Sequence, residues 1–224
     1  MKAILFDVDG VLVDSEPMIA EAGSAMFAEL YGVPVNPAEF KPFIGTGEAR
    51  FLGGVAEARG VDIDVPKAMR RVYELYFELI PGRLGAVPGA VELVRELRAA
   101  GIKTATATSA DRIKLDANLE AIGLGEADFD ALVCGNDVTR KKPFPDIYVE
   151  AARRLGVDPA DCLVIEDAPE GIRAGKAAGC ACVGVSTTFP AAVLIEAGAS
   201  HVLPDLSGGL KALEGLESRR RNAR

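Results

Sequence analysis

The 224-residue chain carries 49% hydrophobic and 26% charged residues, globular proportions that argue against disorder and allow one large domain or two small ones. A formal net charge of -8 excludes the basic face that a nucleic-acid partner needs, and the basic cluster Arg219–Arg221 with Arg224 reads as a frayed or truncated tail. No apolar run approaches the roughly 20 residues of a bilayer span and the start lacks a signal-peptide pattern, so the sequence predicts a soluble chain without membrane contact of its own.

The first apolar run, Ala3–Phe6, has the length of a buried strand, and Asp7-Val8-Asp9-Gly10-Val11 follows it at once. Asp is depleted in strands and costly to bury unpaired, so two carboxylates here call for a compensating cation or a chemical role. Magnesium, a hard cation with oxygen ligands, would compensate; a plain Asp-Gly turn is the competing reading.

About ninety residues separate this run from the next strand, far more than a single-helix crossover requires. Helical periodicity fills the gap at Pro17–Tyr31, Glu48–Arg59 and Pro66–Ile80. Residues 15–84 are therefore expected to form a small helical domain inserted into a core domain made of residues 1–14 and 85–224. The linkers are Val13–Glu16 and Gly85–Gly89. The aromatic and methionine stripe of the third helix reads as core of that insert.

Beyond the insert, strand-like runs at Ile102–Ala107, Ala131–Cys134, Leu163–Ile165, Ala181–Val185 and His201–Leu203 alternate with helical patterns at Gly89–Ala100, Ile113–Ile122, Pro145–Leu155 and Glu170–Ala178. The alternation predicts an α/β fold with a doubly wound, mostly parallel sheet and right-handed crossovers, in which ligands bind at the carboxyl ends of the strands. Those ends supply Asp7 and Asp9, Thr108-Ser109, and Glu166-Asp167, with Lys141-Lys142-Pro143 before a helix. Singly, these could be helix caps, a solvated lysine and an acidic turn. Together they suit a phosphoryl group and a divalent metal. Cys134, Cys162, Cys180 and Cys182 lie in apolar stretches without redox or zinc spacing, which fits a reducing compartment. The single histidine, His201, leaves no histidine pair for acid–base or metal chemistry.

With these residues in hand the chain resembles the haloacid dehalogenase superfamily, in its phosphatase and β-phosphoglucomutase-like branch with a helical cap. Asp7-Val8-Asp9-Gly10-Val11-Leu12, Thr108-Ser109, Lys142-Pro143 with Pro145-Asp146, and Glu166-Asp167 with Gly171-Ile172 match its four motifs in order. A narrower likeness, in Gly45–Ala49, Phe51–Val55, Ser109–Lys114 and Asp116–Leu119, is to the stromal hydrolase domains of the suppressor-of-quenching family of plant and algal chloroplasts.

The resemblance implies a Rossmann-like core and a Mg²⁺-dependent phosphatase acting on a small phosphorylated metabolite, a sugar phosphate first, through an aspartyl-phosphate. Asp7 is the implied nucleophile and Asp9 the general acid and base. Mg²⁺ is implied on the Asp7 carboxylate, the Asp9 backbone carbonyl and Asp167, with Glu166 in support. Thr108, Ser109 and Lys142 are the implied phosphate holders. Gly45-Thr46-Gly47-Glu48 is the expected specificity loop, though a simple turn before the helix at Glu48 is the competing reading. Arg50 and Arg112 are available for a second anionic group.

The β-phosphoglucomutase pattern has a histidine where this chain has Ile19 and an arginine where it has Glu48, which weighs against a phosphomutase as the alternative. A catalytically weak regulatory or interaction domain of a larger chloroplast protein is the other alternative. The narrower likeness implies the chloroplast stroma, and otherwise the cytoplasm is expected.

Overall fold

The computed structural model describes residues 2–222. Six strands form one parallel sheet: β1 (Ala3–Phe6), β2 (Lys103–Ala107), β3 (Ala131–Val133), β4 (Cys162–Glu166), β5 (Ala181–Val185) and β6 (His201–Leu203), in the order β3-β2-β1-β4-β5-β6. Both central strands are buried on two faces, which is why β1 reads Ala-Ile-Leu-Phe without alternation.

The two faces nevertheless take alternate residues. Ile4 and Phe6 pack with α4 (Ala90–Ala99), α5 (Arg112–Ala121) and α9 (Gly209–Asn222). Ala3 and Leu5 pack with α6 (Asp146–Leu155), α7 (Pro169–Ala177) and α8 (Ala191–Ala197). The chain winds outward from β1 to β3 and then resumes at β4 on the other side of β1. The crevice at this reversal is where a doubly wound sheet binds its ligand, and Asp7 and Glu166 stand level there by register.

Between β1 and α4 the chain forms α1 (Glu16–Tyr31), α2 (Glu48–Arg59) and α3 (Val65–Leu79), which pack on one another. A 3₁₀ segment, Pro37–Phe43, precedes α2 and was not expected; it carries Pro42, and at its start the Asn36 amide donates to Glu39 Oε1 while Asn36 Oδ1 accepts the Ala38 amide. Phe40 from this segment stacks on Phe51 at 4.6 Å and lies against Phe27, forming the aromatic heart of the insert. The two stems of the insert are hydrogen-bonded to each other: the Asp14 amide donates to Gly85 O and the Val87 amide to Leu12 O, both at 3.0 Å.

Two helices escaped the periodicity reading. α8 is seven residues long with only Leu194 buried, too short to show a period. α9 packs on α4 and contains Arg219, Arg220 and Arg221, so that part of the expected frayed tail is helical; Arg224 lies outside the described residues.

Candidate active site

The site is built where β1, β2 and β4 end. After Phe6 the chain makes a tight helical turn in which Val8 O accepts the amides of Val11, Leu12 and Val13. Gly10 makes this turn possible. Its φ is +73°, and a Cβ there would fall 1.9 Å from Asp167 Oδ2, so this position demands both glycine's left-handed freedom and its missing side chain.

Asp7, Glu166 and Asp167 are all buried, and their carboxylates meet with one oxygen of each within 4.8 Å of the others. Lys142 Nζ is the cation among them, 2.8 Å from Asp7 Oδ1 and 2.7 Å from Glu166 Oε1. Lys142 is thus a buried ion-pair partner and not a solvated charge.

Glu166 has every oxygen engaged. Oε1 accepts from Lys142 and from the Tyr148 hydroxyl at 2.8 Å, and Oε2 accepts the amides of Asp167 and Ala168 at 3.0 Å. This makes Glu166 the anchor that holds Lys142, rather than an open ligand. Asp167 Oδ2, by contrast, is buried and makes no hydrogen bond, while the buried Asp7 Oδ1 is answered by the Lys142 ammonium at 2.8 Å.

Burial raises Asp7 to about 7, with Glu166 and Asp9 adding repulsion against the pull of Lys142. Burial, Glu166 and Asp7 push Asp167 well above the usual carboxylate range. Three buried carboxylates crowded in this way, with Asp167 Oδ2 unpartnered, fit a hard divalent cation.

Asp9 faces a different set of partners. It accepts from Lys114 Nζ at 2.8 Å, from Asn118 Nδ2 at 3.0 Å and from the Ser15 hydroxyl. Burial would raise its pKa, but Lys114 and Ser15 hold it below the ordinary value. Lys114 and Asn118 lie four residues apart on α5, one turn facing inward between the apolar Leu115 and Leu119. That spacing was the signal by which this pair could have been found. Tyr76 from α3 completes the set by donating to Asn118 Oδ1 at 2.7 Å.

Thr108 and Ser109 line the same cleft as Asp7 and Asp9. Neither caps a helix, since α5 starts after Asp111. The Thr108 hydroxyl accepts the Ala110 amide at 3.1 Å, and the Ser109 hydroxyl is buried without a partner.

From the insert come Glu16, Ile19, Gly45, Gly47 and Glu48. Thr46 turns its hydroxyl back to Phe43 O. The two arginines expected to be available for a second anion do not line this cleft, and Arg50 lines a neighbouring one with Thr46, Gly47, Glu48 and Lys142. Arg50 pairs with Glu57 at 2.8 Å and covers the Phe43 ring, while Arg112 pairs with Asp116 at 2.7 Å and Glu126 at 3.0 Å. Both are exposed at helix surfaces where local acidic residues claim them.

A family model described as haloacid dehalogenase-like hydrolase matches residues 1–179. The chain belongs to this family. Among its relatives, the SUPPRESSOR OF QUENCHING 1 protein of Arabidopsis thaliana, a chloroplastic protein, is 46% identical over 211 residues, covering 92% of this chain. The chain spans 20% of that protein's length. The validoxylamine A 7'-phosphate phosphatase of Streptomyces hygroscopicus subsp. limoneus is 34% identical, with 88% of this chain and 91% of the relative covered. Among solved structures, CbbY of Rhodobacter sphaeroides in complex with phosphate superimposes with a TM-score of 0.86 at 29% identity, covering 96% of this chain and 99% of that one. As a haloacid dehalogenase-like hydrolase with named phosphatase relatives, the protein is an enzyme. No helix among the described residues is long and apolar enough to cross a membrane.

Proposed function

We propose that the protein is a Mg²⁺-dependent phosphomonoesterase that hydrolyses a small phosphorylated metabolite of the sugar-phosphate type, with residues 15–84 acting as a cap. The observation that carries this reading is the trio Asp7, Asp167 and Lys142: two buried carboxylates, Asp167 with an unpartnered oxygen and Asp7 paired with the one cation, at the switch point of the sheet. Asp7 and Asp167 would hold the ion, with the Asp9 backbone carbonyl beside them and Glu166 supporting through Lys142. The bound ion would neutralise these carboxylates and withdraw charge from the phosphoryl oxygens.

An Asp7 carboxylate oxygen would attack phosphorus, the ester bond would break, and the leaving alcohol would take a proton from Asp9. In the second half, Asp9 would accept a proton from the attacking water, releasing inorganic phosphate and restoring Asp7. The Lys114 contact favours the ionised form of Asp9, the form that water activation needs. Lys142, Thr108 and Ser109 would hold the nonreacting phosphoryl oxygens, the unpartnered Ser109 hydroxyl being open for this.

The cleft lies between the strand ends and the insert, with Glu16, Ile19, Gly45, Gly47 and Glu48 on the insert side, so the insert would cover a bound substrate as a cap does. The likeness to a chloroplastic protein supports the stroma as its compartment.

Phosphate release from para-nitrophenyl phosphate tests the reading. Activity should require Mg²⁺, vanish with EDTA, return on re-addition of Mg²⁺, and be absent from Asp7→Asn. Turnover that survives EDTA or the Asp7→Asn substitution would refute it.

A further inference from the structure

The cap side of the cleft is acidic in a way that phosphate chemistry alone does not explain. Glu48 heads α2, is 6% exposed, and lines the cleft with its Oε2 unpartnered. Glu16 heads α1, lines the same cleft, and also leaves a buried Oε2 without a partner. The one basic residue lining this cleft is Lys114, and it is already committed: its ammonium lies 2.8 Å from Asp9 and 3.5 Å from Glu48, over the Tyr76 ring. Outside that lining, Arg50 and Arg112 are paired on the surface, and Lys141 Nζ is held by Ser109 O at 2.9 Å and lies 3.8 Å from Asp111.

A buried carboxylate oxygen without a donor is costly, and the cheapest remedy is a ligand that brings O–H or N–H groups. Burial, with repulsion from Asp9 and Asp7, lifts Glu16 to about 8, and burial lifts Glu48 against the pull of Lys114, so the subsite answers to hydroxyl donors rather than presenting a full negative charge of its own.

We propose that Glu16 and Glu48 form a leaving-group subsite that accepts hydroxyl donors of a polyol monophosphate and rejects substrates bearing a second phosphate or a carboxylate. A second anionic group would bring only acceptors to carboxyl oxygens that lack donors, with no uncommitted cation in the cleft lining among the described residues, a discrimination by unmatched partners. This inference rests on the phosphomonoesterase reading above and names the substrate class of that site.

The test compares matched pairs on the full chain with Mg²⁺, using para-nitrophenyl phosphate as the reference. Fructose 1-phosphate should exceed fructose 1,6-bisphosphate, and glycerol 1-phosphate should exceed 3-phosphoglycerate, each by at least tenfold in kcat/KM. Ratios below tenfold with normal turnover of the reference would overturn the subsite alone. No turnover of the reference would overturn the phosphatase reading instead. Glu48→Lys should lower both ratios at least tenfold. Because a lysine there faces Lys114 and can prevent folding, Glu48→Gln provides the near-isosteric check: its ratios should fall at least threefold, and unchanged ratios in the folded variant would overturn the assignment to Glu48.

Discussion

Lys142 Nζ stands 2.8 Å from Asp7 Oδ1, with the lysine side chain wholly enclosed. Its ammonium also reaches Glu166 and lies 5.2 Å from the centre of the Tyr148 ring. Burial alone would lower its pKa, but Asp7 and Glu166 raise it above the ordinary value, so it is charged throughout the working range. Removing one partner of a buried ion pair strands the other charges at a cost of about 3–5 kcal/mol. Lys142→Met should therefore lose roughly that much stability in urea unfolding, together with activity. Adding Asp7→Asn should restore part of the loss, since fewer charges are then stranded. A Lys142→Met protein as stable as the wild type would show that these carboxylates are not dependent on the lysine.

A paired glycine experiment separates site geometry from helix propensity. A Cβ on Gly171 would lie 1.5 Å from Glu166 Oε1 and 1.9 Å from its carboxyl carbon, whereas one on Gly53 would meet nothing within 4 Å. Gly171→Ala should displace Glu166, cost about 1–3 kcal/mol through overpacking and lower kcat by loosening Lys142. Gly53→Ala, inside α2, should stabilise by roughly 0.5–1 kcal/mol. Thermal melts and turnover of both variants check the contrast; equal effects would remove Glu166 from its anchoring role.

The thiols give a pH-dependent test outside the site. Burial, with small additions from nearby acidic groups, raises Cys162 to about 11; burial, with Cys162 and Asp158, raises Cys180 to about 12. Between the unfolded value of 9.0 and these values the folded chain holds more protons than the unfolded one, so stability falls as pH rises through that window. The contribution is fully present below pH 9. Native protein at pH 8 should react slowly with a thiol reagent and release all four thiols on unfolding. Rapid native labelling would contradict the enclosed geometry.

Ile19, 3% exposed and lining the cleft, offers no proton where a mutase must control access to its intermediate. Incubation with β-glucose 1-phosphate, with or without a bisphosphate primer, should yield inorganic phosphate and no appreciable glucose 6-phosphate. Rapid glucose 6-phosphate formation in a coupled assay would favour the mutase alternative.

The parts of the site that could be read from the sequence share a physical cause. Asp7, Glu166 and Asp167 follow apolar runs, and polar residues against such a background stand out, whereas Thr108 ends a strand that itself alternates Thr and Ala. The same contrast marked β1 and β5 to the residue. Lys114 and Asn118 were harder, because a lysine on an amphipathic helix is ordinarily solvated and its burial depends on carboxylates more than a hundred positions away. For Arg50 and Arg112 the sequence shows available charge but not its claimants: Glu57, Asp116 and Glu126 pair with them at the surface and compete with any ligand.

The paired stems of the insert bear on how such an enzyme can change. Because Asp14 is tied to Gly85 and Leu12 to Val87, the insert enters and leaves the core through one stapled doorway. Whatever chain closes that doorway exerts little leverage on β1, and doubling its length costs only about 0.6 kcal/mol in closure entropy. The sheet and the insert thus form separable modules, and an exchange of everything between the stems would leave the strand that carries Asp7 in its place.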